Sequence, residues 1–254
     1  MVFPLYDDDS DRQTTPWVNY GIIALNIFVF VVLQKLGSDT QFTYSFSTVP
    51  LEILRGTDVV TPARVLEDPM TGQRLLVPGL GETPVSVYLT LFTSMFMHGG
   101  IAHIAGNMLF LWIFGDNIED RLGHVKYLFF YLVCGLIASL AHVFATAAFA
   151  TDQSSLLVPS LGASGAISGV LGGYILLYPK RRVTVILIRI LTQVPAYVAI
   201  GLWFLFQLIS GLGMLGGGSQ AGGVAYAAHV GGFVAGLVLI KIFDLGNRNP
   251  RPAY

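Results

Sequence analysis

Charge is what this sequence has least of. Asp, Glu, Lys and Arg make up 11% of its 254 residues, against the ~25% usual in soluble domains. Hydrophobic residues reach 54% and mean hydropathy is +0.66, which places the chain among membrane proteins. Acidic and basic residues nearly cancel, and no long basic run occurs, so nothing provides an electrostatic footprint for nucleic acid. Cysteine is also scarce. Cys134 stands alone, which excludes an intramolecular disulfide framework and a cysteine-rich metal site. No His-Glu-x-x-His pattern exists, the apolar stretches hold no pair of carboxylates, and no lysine lies at depth within them. Metallo-, aspartyl and Ser/Lys proteolytic chemistries are thereby removed, and no metal or cofactor is expected. The N-terminus lacks the positive flank of a signal or transit peptide: Asp7, Asp8, Asp9 and Asp11 precede the first apolar run, which is therefore expected to be retained.

What is present is a series of apolar stretches long enough to cross about 30 Å of hydrocarbon as helices. Six are expected. The first lies between Arg12 and Lys35, with Trp17 and Tyr20 as interfacial anchors. The second is cut from residues 83–115 and begins after His98-Gly99-Gly100, because paired glycines disfavour helix. The third starts at Tyr127, and the fourth runs from Pro159 to Tyr178. Breaks at Gly211-Leu212-Gly213 and Gly216-Gly217-Gly218 divide the remaining apolar run into a fifth span from Pro195 to Ile209 and a sixth from Gly223 to Phe243. Residues 183–191 read as an interfacial approach to the fifth. The expected fold is an all-α, polytopic membrane bundle with a 1–16 cytoplasmic tail, a 17–243 membrane domain and a 244–254 cytoplasmic tail. The long loop 36–84 carries one short amphipathic piece at Pro50-Leu51-Glu52-Ile53-Leu54, and loops of such length tend to be functional.

Six spans with the N-terminus inside put ten basic residues on the cytoplasmic side, Lys180-Arg181-Arg182 foremost, and four outside (Lys35, Arg55, Arg64, Arg74). That asymmetry favours both termini in the cytoplasm. It also places polar groups at depth. Ser164, in Leu161-Gly162-Ala163-Ser164-Gly165, falls a turn below the outer surface, at ~1.5 Å rise per residue. His229 on span six and the pair His103 and Asn107, four apart on span two, fall in the same outer layer. Intramembrane ionisable residues are functional hypotheses by default.

The chemistry open to this set is narrow. A serine hydroxyl becomes a nucleophile when an imidazole takes its proton. Small residues at Gly165, Gly169 and Gly173 can face Ala228, Gly232 and Gly236, bringing His229 within reach of Ser164. With no Asp or Glu in a span, the unit is a Ser-His dyad rather than a triad. Asn107 and His103 can donate to an oxyanion. The glycines and the serine also fit simple helix packing, and His103 and Asn107 fit interhelical hydrogen bonding.

Several motifs in order resemble the rhomboid intramembrane serine proteases: His98-Gly99-Gly100, His103 with Asn107, Glu119 with Arg121, Gly162-Ala163-Ser164-Gly165, Gly201-Leu202-Trp203-Phe204 and Ala228-His229-Val230-Gly231-Gly232. The resemblance covers the second to the sixth span. It implies Ser164 as nucleophile, His229 as general base, His103 and Asn107 at the oxyanion, and His98 as a rim residue in a structural hydrogen-bonding role. It also implies that loop 36–84 braces the site and that span five, with Trp203, Phe204 and Gln207, flanks a substrate gate; the same aromatics also fit a lipid-facing belt. Implied partners are the bilayer of a prokaryotic cell membrane and a single-span membrane substrate cut near its outer end. Some members carry a tyrosine four residues after the nucleophile, stacked on the histidine; here that position is Ser168. Alternatives are a proteolytically silent rhomboid-like client binder and, from another class, a small transporter.

Overall fold

The computed structural model describes residues 2–67, 74–149, 153–187, 190–215 and 226–246. In chain order the elements are β1 (Val2–Asp7), α1 (Trp17–Phe28), α2 (Thr40–Ser45), α3 (Pro50–Arg55), β2 (Arg64–Glu67), β3 (Arg74–Val77), α4 (Thr90–Thr93), α5 (Ile101–Leu122), α6 (His124–Phe149), α7 (Ser164–Leu177), β4 (Arg182–Leu187), β5 (Ile190–Pro195), α8 (Ala196–Leu215) and α9 (Tyr226–Phe243). The protein is a mostly helical membrane protein. α6 and α9 are each long and apolar enough to cross a bilayer, and the short helices of 87–96 together with α5 form a third candidate, bent by 80° at His98-Gly99-Gly100. α1 with its π-helical extension to Leu33, α7 and the 196–209 part of α8 are shorter apolar helices.

The core is built on α7. Gly165, Gly169, Gly172 and Gly173 leave it without bulk on the sides facing α6 and α9, and all are buried. A Cβ at Gly236 of α9 would stand 1.9 Å from the Gly169 carbonyl oxygen, so the two backbones touch. The two small-residue faces thus meet, and dispersion between closely approached backbones replaces the hydrophobic drive that lipid cannot supply.

Two expectations are corrected. The fold is not all-α: β1, β4 and β5 form an antiparallel sheet in the order β1-β4-β5, and β2 pairs with β3. The described residues of 183–191 therefore belong to the paired strands β4 and β5, and the tail 1–16 contributes a strand. Val183 and Val185 explain this: β-branched residues two apart bury one sheet face in the core. Second, Gly211 and Gly213 lie inside α8, which runs on to Leu215; the break expected at Gly216 to Gly218 falls outside the described residues. Glu119 and Arg121 find separate partners. Pro16 gives α1 no side-chain cap, and the Glu119 carboxylate takes the N–H groups of Val18 (2.9 Å) and Asn19 (2.6 Å) instead. Arg121 makes a two-pronged contact with Asp244 at the end of α9, at 2.6 and 3.0 Å.

Candidate active site

Ser164 opens α7, and the turn before it depends on Gly162. Its φ of +123° suits glycine, and a Cβ there would come within 2.8 Å of His103 Nε2. The Gly162 N–H donates to the Ser94 carbonyl (2.9 Å), and Ser160 exchanges both backbone bonds with Thr48 of the long loop (2.8 and 3.0 Å). Thr48 Oγ1 reaches on to the Thr90 carbonyl and Ser94 Oγ. Loop 36–84 is in this way stitched to the serine turn. As the first helical residue, Ser164 stands among backbone N–H groups that have no partner within the helix.

His229 Nε2 lies 2.7 Å from Ser164 Oγ, and its Nδ1 lies 2.8 Å from Gln207 Oε1 on α8. The ring is flanked by Trp203 at 6.0 Å and by Tyr226, edge-on, at 6.4 Å. The Ser168 hydroxyl donates to the Ser164 carbonyl one turn back (2.6 Å), and the residue is fully buried. Gln207, expected only on the substrate side, is 7% exposed and bonded to the imidazole.

Asn107 Nδ2 sits 2.9 Å from His98 Nε2, so one amide hydrogen is held there while the second remains available. His98 is fully buried, and Gln34 clamps its backbone from both sides: its Nε2 donates to the His98 carbonyl (2.8 Å) and its Oε1 accepts from the His98 N–H (3.0 Å). Sequence reasoning missed Gln34, because nothing in an apolar first span marks which polar residue will meet a loop sixty residues away. His103 accepts from the Gly99 N–H through Nδ1 (3.4 Å), with its ring 5.1 Å from that of His98. Ser164, His229, His103, Asn107, His98 and Trp203 all line one open cavity of about 1210 Å³. Phe204 turns away from it and stacks on Phe233 of α9 at 4.1 Å.

Residues 86–244, more than half of the chain, match the rhomboid domain. The chain belongs to the rhomboid family. Among its relatives, the rhomboid protease GluP of Bacillus subtilis is 30% identical over 219 residues, 85% of this rhomboid and 35% of the relative. The mitochondrial rhomboid protein 1 of Saccharomyces cerevisiae is 30% identical over 154 residues, 61% of this chain and 41% of its own. RHOMBOID-like protein 1 of Arabidopsis thaliana is 26% identical over 252 residues, 94% and 55% respectively. This chain thus spans between 35% and 55% of the length of these relatives.

Proposed function

We propose that this rhomboid is an intramembrane serine endopeptidase acting on a single-span membrane protein. The observation that carries the reading is the 2.7 Å approach of His229 Nε2 to Ser164 Oγ inside an open cavity. In the reaction, Ser164 Oγ attacks the scissile carbonyl while His229 Nε2 takes its proton. The oxyanion is met by the free Asn107 N–H, by His103 and by backbone N–H groups at the start of α7. Collapse of the tetrahedral intermediate breaks the C–N bond as His229 returns the proton to the leaving amine. Water then attacks the acyl-serine with His229 again as base, releasing the new carboxyl end and restoring Ser164.

The same reading assigns six crossings, α1, α5, α6, α7, α8 and α9, with the Ser164 end facing outward and both termini in the cytoplasm. It is supported by the excess of basic residues in the segments at the opposite end. Trp203, at the cavity wall, is the gate residue in this scheme, and Phe204 serves by holding α8 to α9.

The test is cleavage of a single-span reporter in liposomes by wild type, Ser164→Ala and His229→Ala. Loss of cleavage in both variants is expected; either one cleaving like wild type would sink the dyad. A fluorophosphonate label should attach to wild type and not to Ser164→Ala. For orientation, a membrane-impermeant maleimide on intact cells should label Thr57→Cys and spare Ser10→Cys, both positions being exposed; the reverse pattern overturns the topology.

A further inference from the structure

A dyad works only if the imidazole presents its unprotonated nitrogen to the serine. Nε2 faces Ser164 Oγ, so the single hydrogen of the neutral ring has to reside on Nδ1. A free imidazole divides itself between both tautomers and rotates, so some group must hold the productive form. Among the described residues, the carboxylates of α5, Asp116, Glu119 and Asp120, are engaged with Arg12, with the start of α1 and with the N–H groups of Gln13 and Thr14 respectively, at the far end of the bundle. Ser168 is engaged with its own helix. The atom that meets Nδ1 is Gln207 Oε1, at 2.8 Å. An amide oxygen can only accept, so this contact requires the hydrogen on Nδ1 and leaves Nε2 free to take a proton.

We propose that Gln207 is the positioning residue of this site, holding His229 in the Nδ1–H tautomer and tying that tautomer to α8. The proposal rests on the proteolytic reading and extends it. Its place is comparable to that of the acid in a triad, with a neutral acceptor in place of a carboxylate. Trp203 and Tyr226, at 6.0 and 6.4 Å, confine the ring plane, and Gln207 selects which nitrogen points at the serine. Because Gln207 and Trp203 belong to α8, the base is correctly set only while α8 lies against α9, a seat held by Phe204 on Phe233. The helix that flanks the cavity therefore also reports its position to the general base.

The test compares Gln207→Met, which keeps bulk and loses the acceptor, with Gln207→Glu, which keeps an acceptor, in liposomes with the reporter. Expected is a fall in kcat of about 10²-fold for Gln207→Met with KM little changed, and recovery to within about threefold of wild type for Gln207→Glu. Wild-type kcat in Gln207→Met, an effect confined to KM, or equal impairment of both variants would overturn the proposal. Nitrogen-15 NMR of histidine-labelled protein in micelles reads the tautomer without any cleavage. Wild-type His229 should carry its hydrogen on Nδ1 and shift toward Nε2–H in Gln207→Met; a wild-type ring already in the Nε2–H form would sink the idea even if proteolysis is observed. If Gln207→Met does not fold, the wild-type spectrum and Gln207→Glu decide. Failure of the proteolytic reading appears separately, as cleavage that survives Ser164→Ala.

Discussion

At the residue scale the site is defined by which polar atoms are already engaged. Asn107 spends one amide hydrogen on His98 and keeps the other toward the cavity, so its worth lies in the transition state rather than in the fold. Asn107→Ala is expected to lower kcat by about 10²- to 10³-fold, the usual effect of deleting one oxyanion donor, with a much smaller change in the unfolding midpoint in detergent, since interhelical polar contacts in lipid average about 0.6 kcal/mol. Reporter kinetics beside thermal unfolding separate the two. Ser168 teaches the converse. Its hydroxyl serves its own helix, and Ser168→Ala should leave kcat close to wild type, at a stability cost of about 1 kcal/mol or less. A large loss of kcat in that variant would restore this position to a role in holding His229.

At the element scale the contact between α7 and α9 decides whether Ser164 and His229 meet at all. The 1.9 Å distance from a Cβ at Gly236 to the Gly169 carbonyl oxygen leaves no room for even one methyl group, and the obstacle is backbone, which cannot rotate aside. Gly236→Ala should push the helices apart, costing about 1–3 kcal/mol of stability. It should also reduce cleavage more than binding, because the His229 to Ser164 distance opens with the seam. Measuring the unfolding midpoint and reporter kinetics together checks both. The end of α9 is tied to α5 instead, by Arg121 and Asp244, each under 10% exposed. Breaking such a pair by removing one partner typically costs about 3–5 kcal/mol, so Arg121→Ala is expected to lower the unfolding midpoint clearly while leaving the cavity residues in place.

At the scale of the whole molecule, the N-terminal segment straps α5, α7 and α8 together. Pro4 of β1 fills space among Phe110, Phe114, Leu171, Ile200 and Trp203, leaving a cavity of about 10 Å³ between α5, α7 and α8. Asp7, at the end of that strand, accepts from Tyr174 and from Asn117 (2.9 Å), Arg12 meets Asp116 at 2.6 Å, and Asp120 takes the N–H groups of Gln13 and Thr14. Burial pushes the Asp7 carboxyl up from 3.8 to about 7. A raised carboxyl pKa means that the folded state prefers the protonated form, so its contribution is complete below about pH 4 and is lost as pH rises through 7. Hydrogen exchange of the β1 amides, corrected for intrinsic rate, should therefore be slower at pH 6 than at pH 8, and Asp7→Asn should remove the difference. Equal protection of wild type at both values would show that this carboxyl does not control docking of the strand.

Apolar length and the scarcity of charge were enough to read a membrane protein from the chain alone, because a bilayer admits backbone only in hydrogen-bonded form and helices advertise that by composition. That Ser164, His229, His103 and Asn107 share one level was expected from rise per residue and the placement of basic residues, which are local and additive properties, and the four line one cavity. Pairing across distant segments was not legible. Val183 to Leu187 carries no mark saying that its partner is β1, more than 170 residues earlier, and the polar residues Gln34, Gln207 and Glu119 acquire their tasks only when another element arrives opposite them. A hydrogen bond belongs to two groups at once, and sequence order specifies one at a time. The sequence by itself determined which polar residues stand within apolar stretches; the tertiary structure alone decided that Nδ1 of His229 meets the amide oxygen of Gln207 on α8.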